Sequence, residues 1–238
     1  MKIPSLEIIR NIKGDIITVY EDYNYVLLKE SYIYESELNL EKIFDYDITI
    51  YINKLKDWKK MWQDKIDYYE YQINQFGYKY KIICNSINYY FKLGECAIEL
   101  LNYINQEYFK ICICHRRLSL KKNIEFYDPT NLTLDNITRD IADYIKIKYF
   151  FDEISEIEIL KEIDKIYFDK NEVLLFLSRL IYPTYHFDIY DKIINEEVSE
   201  EKIETIIKKN NSFELFLKAI YNHLKSKYIL PEIEWLNS

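Results

Sequence analysis

Two cysteines and a histidine in one short segment, Cys112-Ile113-Cys114-His115, are the residues of this chain that most readily suggest a metal site. Zinc sites pair such ligands, usually with two residues between paired cysteines. Here one residue separates the cysteines, and no second Cys/His pair lies nearby in the sequence. Because residues two apart on a strand share a face, the pattern favours two free thiols packed in the interior over a metal site.

Three aspartates follow the histidine, at Asp128, Asp135 and Asp140. Carboxylates that meet in a cleft serve as acids, bases or metal ligands. Each also has a structural interpretation, because Asp128-Pro129 is a good start for a turn. Asp135 and Asp140 suit helix caps or ion pairs. Taken alone, the sequence favours the structural role for each of the three.

The first thirty residues alternate β-branched and polar side chains, which predicts a small antiparallel meander. We expect its strands over residues 6–12, 16–20 and 25–29. A three-stranded meander of this size is too small to be stable alone, so it must pack against something else.

The remainder of the chain is mostly helical in pattern. Apolar residues at spacings of three and four predict one amphipathic helix that ends near Gly77 and a second over about 82–104. In the second helix Gly94 indicates close packing or a break. Residues 111–114 and 124–127 predict a short hairpin around a polar loop.

Helices follow this hairpin from about residue 139 to the end, and Pro183 kinks or ends one of them. His186 and His223 fall in these helical stretches and are expected to be satisfied core or surface residues. The fold class is therefore α+β.

Composition excludes several classes of protein. The formal net charge of −8 disfavours nucleic-acid binding, because an acidic chain repels phosphate backbones. No window approaches the roughly 18 uncharged apolar residues of a membrane span. The four cysteines lack the spacing of a disulfide framework, so a reducing, cytoplasmic compartment is expected.

Three motifs carry a family resemblance: Cys114-His115-Arg116-Arg117-Leu118-Ser119, Tyr127-Asp128-Pro129, and the run from Leu134 to Ala142 that contains Arg139-Asp140-Ile141-Ala142. They resemble the C-lobe of the protein-kinase-like phosphotransferases, the aminoglycoside phosphotransferase and choline kinase superfamily. Within it, the nearest resemblance is to the spore coat-associated proteins of the YutH and CotS type. In those families an Arg-Asp-Leu/Ile-Ala helix start follows the metal-binding Asp by the same spacing that separates Asp128 from Asp140.

The resemblance implies roles for individual residues. Asp128, with Asn123 as the loop asparagine, would hold Mg²⁺ and so Mg-ATP, if nucleotide binds at all. His115, Asp135 and Arg139 would be structural, and Asp140 would hold the backbone of the catalytic loop.

The position of the catalytic acid/base, two residues after His115, is occupied by Arg117. A guanidinium stays charged and does not accept a proton. The loop formed by His115, Arg116, Arg117 and Asn123 is therefore a degenerate one, and no catalytic residue is expected.

The resemblance also divides the chain into residues 1–52, the late strands and hinge of an N-lobe, and residues 53–238, a helical C-lobe. On this interpretation the chain begins after the phosphate-covering loop and the ATP lysine. Such a truncated N-lobe sheet is expected to expose an unpaired edge and an apolar face that a protein partner or a homodimer covers.

Together these features predict a kinase-fold pseudokinase without phosphotransfer activity. It would act as a structural or interaction protein, cytoplasmic or in the spore coat, in sporulation. A small-molecule phosphotransferase of the aminoglycoside or choline kinase kind, or a nucleotide-binding protein, is the alternative. A decayed or split gene product is a third possibility.

Overall fold

An N-terminal β-meander and a larger, mainly helical part make up the chain, which is the α+β architecture that the sequence predicts. The structure is a computed structural model. It describes residues 6–30, 43, 50–52, 57–105, 109–119, 126, 128–152 and 155–237. No helix among these residues is long and apolar enough to cross a membrane.

The described strands and helices are numbered in chain order. The strands are β1 Leu6–Ile9, β2 Ile17–Tyr20, β3 Tyr23–Glu30, β4 Ile50–Ile52, β5 Phe109–His115 and β6 Leu132–Asp135. The helices are α1 Trp58–Phe76, α2 Lys81–Leu100, α3 Thr138–Ile147, α4 Glu156–Ile163, α5 Lys170–Ile181, α6 Thr184–Ile194, α7 Glu204–Ile207, α8 Asn210–Lys225 and α9 Glu234–Asn237.

The meander is antiparallel, with the strand order β1-β3-β2. Glu21 and Asp22 join β2 to β3 with φ values of 47° and 64°. A two-residue loop with both residues at positive φ matches the right-handed twist of the strands that it connects. This turn fixes the register in which Tyr20 lies opposite Tyr23.

The second sheet has the strand order β4-β5-β6. Strand β5 pairs with β6, so that Cys112 lies opposite Asp135. Of the predicted strand 124–127 only Phe126 lies among the described residues; its backbone is helical, so the prediction is wrong at that residue. The alternation Leu132-Thr133-Leu134-Asp135 is the strand pattern that the sequence reading missed, because Asp135 was assigned to a helix cap.

The core lies around helix α5, whose residues Glu172–Ile181 are all buried. Helix α2 continues through Gly94 without interruption. A Cβ added to Gly94 would lie 2.7 Å from Ile66 Cδ1 of α1, so the glycine permits close approach of two helices, and the predicted alternative of a break is wrong.

Helix α5 ends just before Pro183, and helix α6 begins after it. The buried ammonium of Lys146, on α3, donates to the carbonyls of Arg179 and Tyr182 at 2.8 and 3.3 Å and to Thr184 Oγ1 at 2.8 Å. Lys146 thereby supplies a donor to the Arg179 carbonyl in the last turn of α5, where Pro183 has no N–H to give. This junction sets the direction in which α6 leaves the core.

His186, on α6, is fully buried, and neither of its ring nitrogens has a hydrogen-bond partner among the described residues. It stacks on Tyr90 with the ring centroids 3.5 Å apart. The expectation of a satisfied histidine is therefore wrong for this residue. Burial disfavours the charged imidazolium and lowers the pKa of His186 to about 3.

This buried histidine makes the protein less stable in acid. The unfolded chain protonates His186 below its ordinary pKa of 6.5, whereas the folded chain does not do so until about 3. The free energy of unfolding therefore falls as the pH falls through this window. His186→Leu is expected to remove this loss, about 2 kcal/mol near a pH of about 5 for one such group.

Urea denaturation of both proteins at neutral and acidic pH measures the difference. Because every other titrating group is common to the two proteins, the pH dependence of the difference isolates His186. A stability difference that does not change with pH would contradict the assignment.

Candidate functional site

The carboxylate of Asp140, in the first turn of α3, holds the end of strand β5. It accepts hydrogen bonds from the backbone N–H of His115 at 3.0 Å and lies 2.6 Å from His115 Nδ1. The other ring nitrogen of His115 lies 2.8 Å from the carbonyl oxygen of Phe126. With both ring nitrogens engaged and the side chain fully buried, His115 orders the loop.

The Asp140 carboxylate is itself buried. Burial raises its pKa, and the hydrogen bonds and charge of His115 oppose that rise. The pair is thus a buried, mutually satisfied unit of the kind that is costly to break from one side.

Asp135, at the end of β6, lies between two guanidinium groups. Its Oδ2 accepts from Arg139 at 3.0 Å, and its Oδ1 accepts from Arg179 at 2.8 Å and from the backbone N–H of Asn136 at 2.7 Å. Arg179 in turn stacks over the Trp58 ring, 4.2 Å from its centroid. Both oxygens of Asp135 are therefore occupied.

Arg139 connects this ion pair to the loop after β5. Its Nε donates to the carbonyl of His115 at 2.7 Å, and its Nη2 donates to the carbonyl of Arg116 at 2.9 Å. Two successive residues of α3, Arg139 and Asp140, thus bind the carbonyl and the N–H of His115.

Asp128 begins the short 3₁₀ turn Pro129–Asn131. Its Oδ1 accepts from the backbone N–H and the hydroxyl of Thr130, at 2.8 and 2.7 Å. The side chain of Asn131 then contacts the backbone of Arg117 twice, accepting from its N–H at 3.0 Å and donating to its carbonyl at 2.7 Å. The Asp128 turn and the loop of Arg117 therefore form one connected unit.

Arg117 points its guanidinium at helix α6. Its Nη2 donates to Oδ1 of Asp188 at 2.7 Å. Burial raises the pKa of the Asp188 carboxyl, and the guanidinium of Arg117 opposes this rise. The carboxylate of Asp188 on α6 therefore lies beside this loop, where it forms an ion pair with Arg117.

Of the two residues that the resemblance assigned to Mg²⁺, the structure places only Asp128, because Asn123 lies outside the described residues. Among the described residues no group of three or more His, Cys, Asp or Glu side chains could hold a metal ion. The Oδ1 of Asp128 is engaged by the N–H and the hydroxyl of Thr130.

The two thiols of β5 lie side by side, with 3.5 Å between the sulfurs of Cys112 and Cys114. Both also contact the carbonyl of Asp135, at 3.7 and 3.4 Å. The hydrogen bond with the Cys112 thiol and burial raise the pKa of Cys114 well above its usual range. A buried thiol with a raised pKa is a poor nucleophile, so Cys114 suits a structural role.

Three residues of this site were missed by the sequence reading: Arg179, Asn131 and Asp188. Arg179 and Asp188 contact their partners across 44 and 71 positions of the chain. No local spacing signals such pairs. Asn131 did carry a signal, because Asn in a turn after Asp-Pro commonly bonds nearby backbone.

Comparison with known proteins places this geometry in a family. The model of the family described as "Spore coat putative kinase YutH" matches residues 6–220. The chain belongs to this family. No curated protein and no solved structure matches the chain. The match confirms the resemblance seen in the motifs around His115, Asp128 and Asp140, and with it a kinase-like, spore-coat-family protein.

Removal of the Asp140 carboxylate tests its structural role in this YutH-family site. Asp140→Ala removes the carboxylate that accepts from the backbone N–H of His115 and lies beside its Nδ1. Breaking a buried pair from one side costs about 3–5 kcal/mol, so we expect a loss of that size in the free energy of unfolding by urea.

The exposed Asp64 on α1 provides the control. Asp64→Ala should change the stability by no more than about 0.5 kcal/mol. Equal effects of the two substitutions would contradict a special role for Asp140.

The Arg117–Asp188 contact predicts a pKa change. Arg117→Met removes the positive charge that favours ionised Asp188, so the pKa of Asp188 should rise further above its ordinary value. The measurement is an NMR titration of the Asp188 carboxyl carbon. Arg116→Met removes the adjacent guanidinium, which has no described contact with Asp188, and should leave that pKa unchanged. A matching shift in both variants would mean that the effect is general electrostatics.

Proposed function

We propose that this YutH-family protein is a pseudokinase, a kinase-fold protein without phosphotransfer activity that acts as a structural or interaction protein of the spore coat. The observation that supports it best is the ion pair between Arg117 and Asp188, 2.7 Å long. Phosphoryl transfer needs a group that orients the acceptor hydroxyl and accepts its proton. At that position of the motif stands a cation that does not accept one.

The surrounding contacts support the same proposal. The structural parts of the site are intact, since Asp140 holds His115 and Arg139 holds the following carbonyls. The position that would do chemistry is different, since it holds Arg117, which is paired with Asp188. An intact scaffold with altered reactive positions suits a protein that presents surfaces to partners.

The alternative is a phosphotransferase of the aminoglycoside or choline kinase kind, or a protein that binds nucleotide without turnover. Its support is Asp128, which keeps the motif spacing to Asp140 and has one oxygen, Oδ2, without a described contact. Mg-ATP would then be its cofactor.

A nucleotide assay separates the two. We expect no thermal shift with Mg-ATP, and no ATP hydrolysis or phosphorylation of aminoglycoside or choline acceptors above the level of Asp128→Ala. The variant serves as the control for contaminating kinases. Turnover or a thermal shift that disappears in Asp128→Ala would overturn the pseudokinase proposal.

A genetic assay tests the coat role in a sporulating host. Deletion of the gene is expected to change coat protein composition and spore resistance, and expression of either the wild type or Asp128→Ala should restore both. Unchanged spores after deletion would reject the coat role. Restoration by the wild type alone would indicate that chemistry at Asp128 is required.

A further inference from the structure

The β-meander exposes apolar side chains on both of its faces. Ten large apolar residues between Ile8 and Leu27 are more than a third exposed. A sheet normally buries at least one face, and a three-stranded sheet needs that burial for its stability. The meander is therefore the part of the described chain that most requires a partner surface.

One of these faces is rich in tyrosine. The strand register places Tyr20 opposite Tyr23, and Leu27 lies two positions beyond Tyr25 on the same strand. Since side chains alternate along a strand, these four residues share one side of the sheet, which we call the Tyr face. They are 62%, 68%, 50% and 65% exposed for Tyr20, Tyr23, Tyr25 and Leu27.

The area of the Tyr face is sufficient for a dimer. Aromatic side chains bury about 150–250 Å² each, so at these exposures the four residues present on the order of 500 Å² of apolar surface. A standard protein–protein interface buries about 800 Å² per partner, a little over half of it apolar. One Tyr face thus supplies nearly all the apolar surface that one side of such an interface needs.

The charges on this side of the sheet also allow self-association. Glu7 lies opposite Lys29 in the β1–β3 register, on the same side as Tyr25 and Leu27. Among the described strand residues on this side, one acid and one base cancel, although the whole chain carries −8. A neutral face does not repel an identical face, and it offers no charge to attract a strongly charged partner.

We propose that two copies of this chain associate through their Tyr faces, packed against each other about a two-fold axis. Tyrosine is enriched at the centres of such interfaces because a large rigid ring buries much area at little entropic cost. The association does not depend on whether the protein transfers phosphate. It would bury the apolar side of a sheet that the helical part leaves exposed.

The test compares Leu27→Glu with Leu215→Glu, using the full chain in light scattering coupled to size exclusion from micromolar concentrations upward. Leu215, on α8, is matched to Leu27 in residue type and in exposure, 65% each. We expect the wild type and Leu215→Glu to approach twice the monomer mass of 29.2 kDa. Leu27→Glu should remain monomeric with an unchanged circular dichroism spectrum.

Val19→Glu distinguishes the two faces of the meander. Val19 is 68% exposed and lies on the opposite side from Tyr20, so this variant should still dimerise. A wild type that is monomeric at every concentration would overturn the proposal. So would a dimer that survives Leu27→Glu, or one that Leu215→Glu or Val19→Glu disrupts equally.

Discussion

The acceptor role of Asp140 is the interaction on which the site depends. One carboxylate, in the first turn of α3, receives both the backbone N–H and the ring of His115. The other ring nitrogen of His115 lies 2.8 Å from the carbonyl oxygen of Phe126. Arg139, the residue before Asp140, donates to the carbonyls of His115 and Arg116. The loop is thereby held through its backbone at His115 and Arg116.

The buried charges around this point are fixed by the helical core. Asp135 shares its two oxygens between Arg139 and Arg179, and Arg179 is held against Trp58. Ion pairs of this kind add little net stability, because the desolvation of the charges offsets their attraction. They nevertheless restrict where the charged groups can lie, because a charge left without its partner in the interior lowers the stability of the folded state. This explains how α5, α3 and β6 keep one relative arrangement.

Local features of the sequence predicted much of the fold. The alternation of apolar and polar residues predicted the strands of the meander and strand β5, and apolar residues three and four apart predicted helix α1. Both patterns depend only on residues that are close in the sequence. Strand β6 was not predicted, because its short run Leu132–Asp135 competes with an equally plausible helix cap. Arg179 and Asp188 could not be found, because each acts on a residue far along the chain. The lack of a described hydrogen-bond partner for His186 could not be predicted, because the local sequence does not show which groups surround a buried side chain.

The pairing of Arg117 with Asp188 has a consequence for substitutions at position 117. Aspartate in place of Arg117 would set a second carboxylate beside that of Asp188, which is already partly desolvated, and like charges at such a distance are unfavourable. A proton acceptor at position 117 would therefore be accommodated more easily together with a neutral residue at position 188 on α6 than by itself.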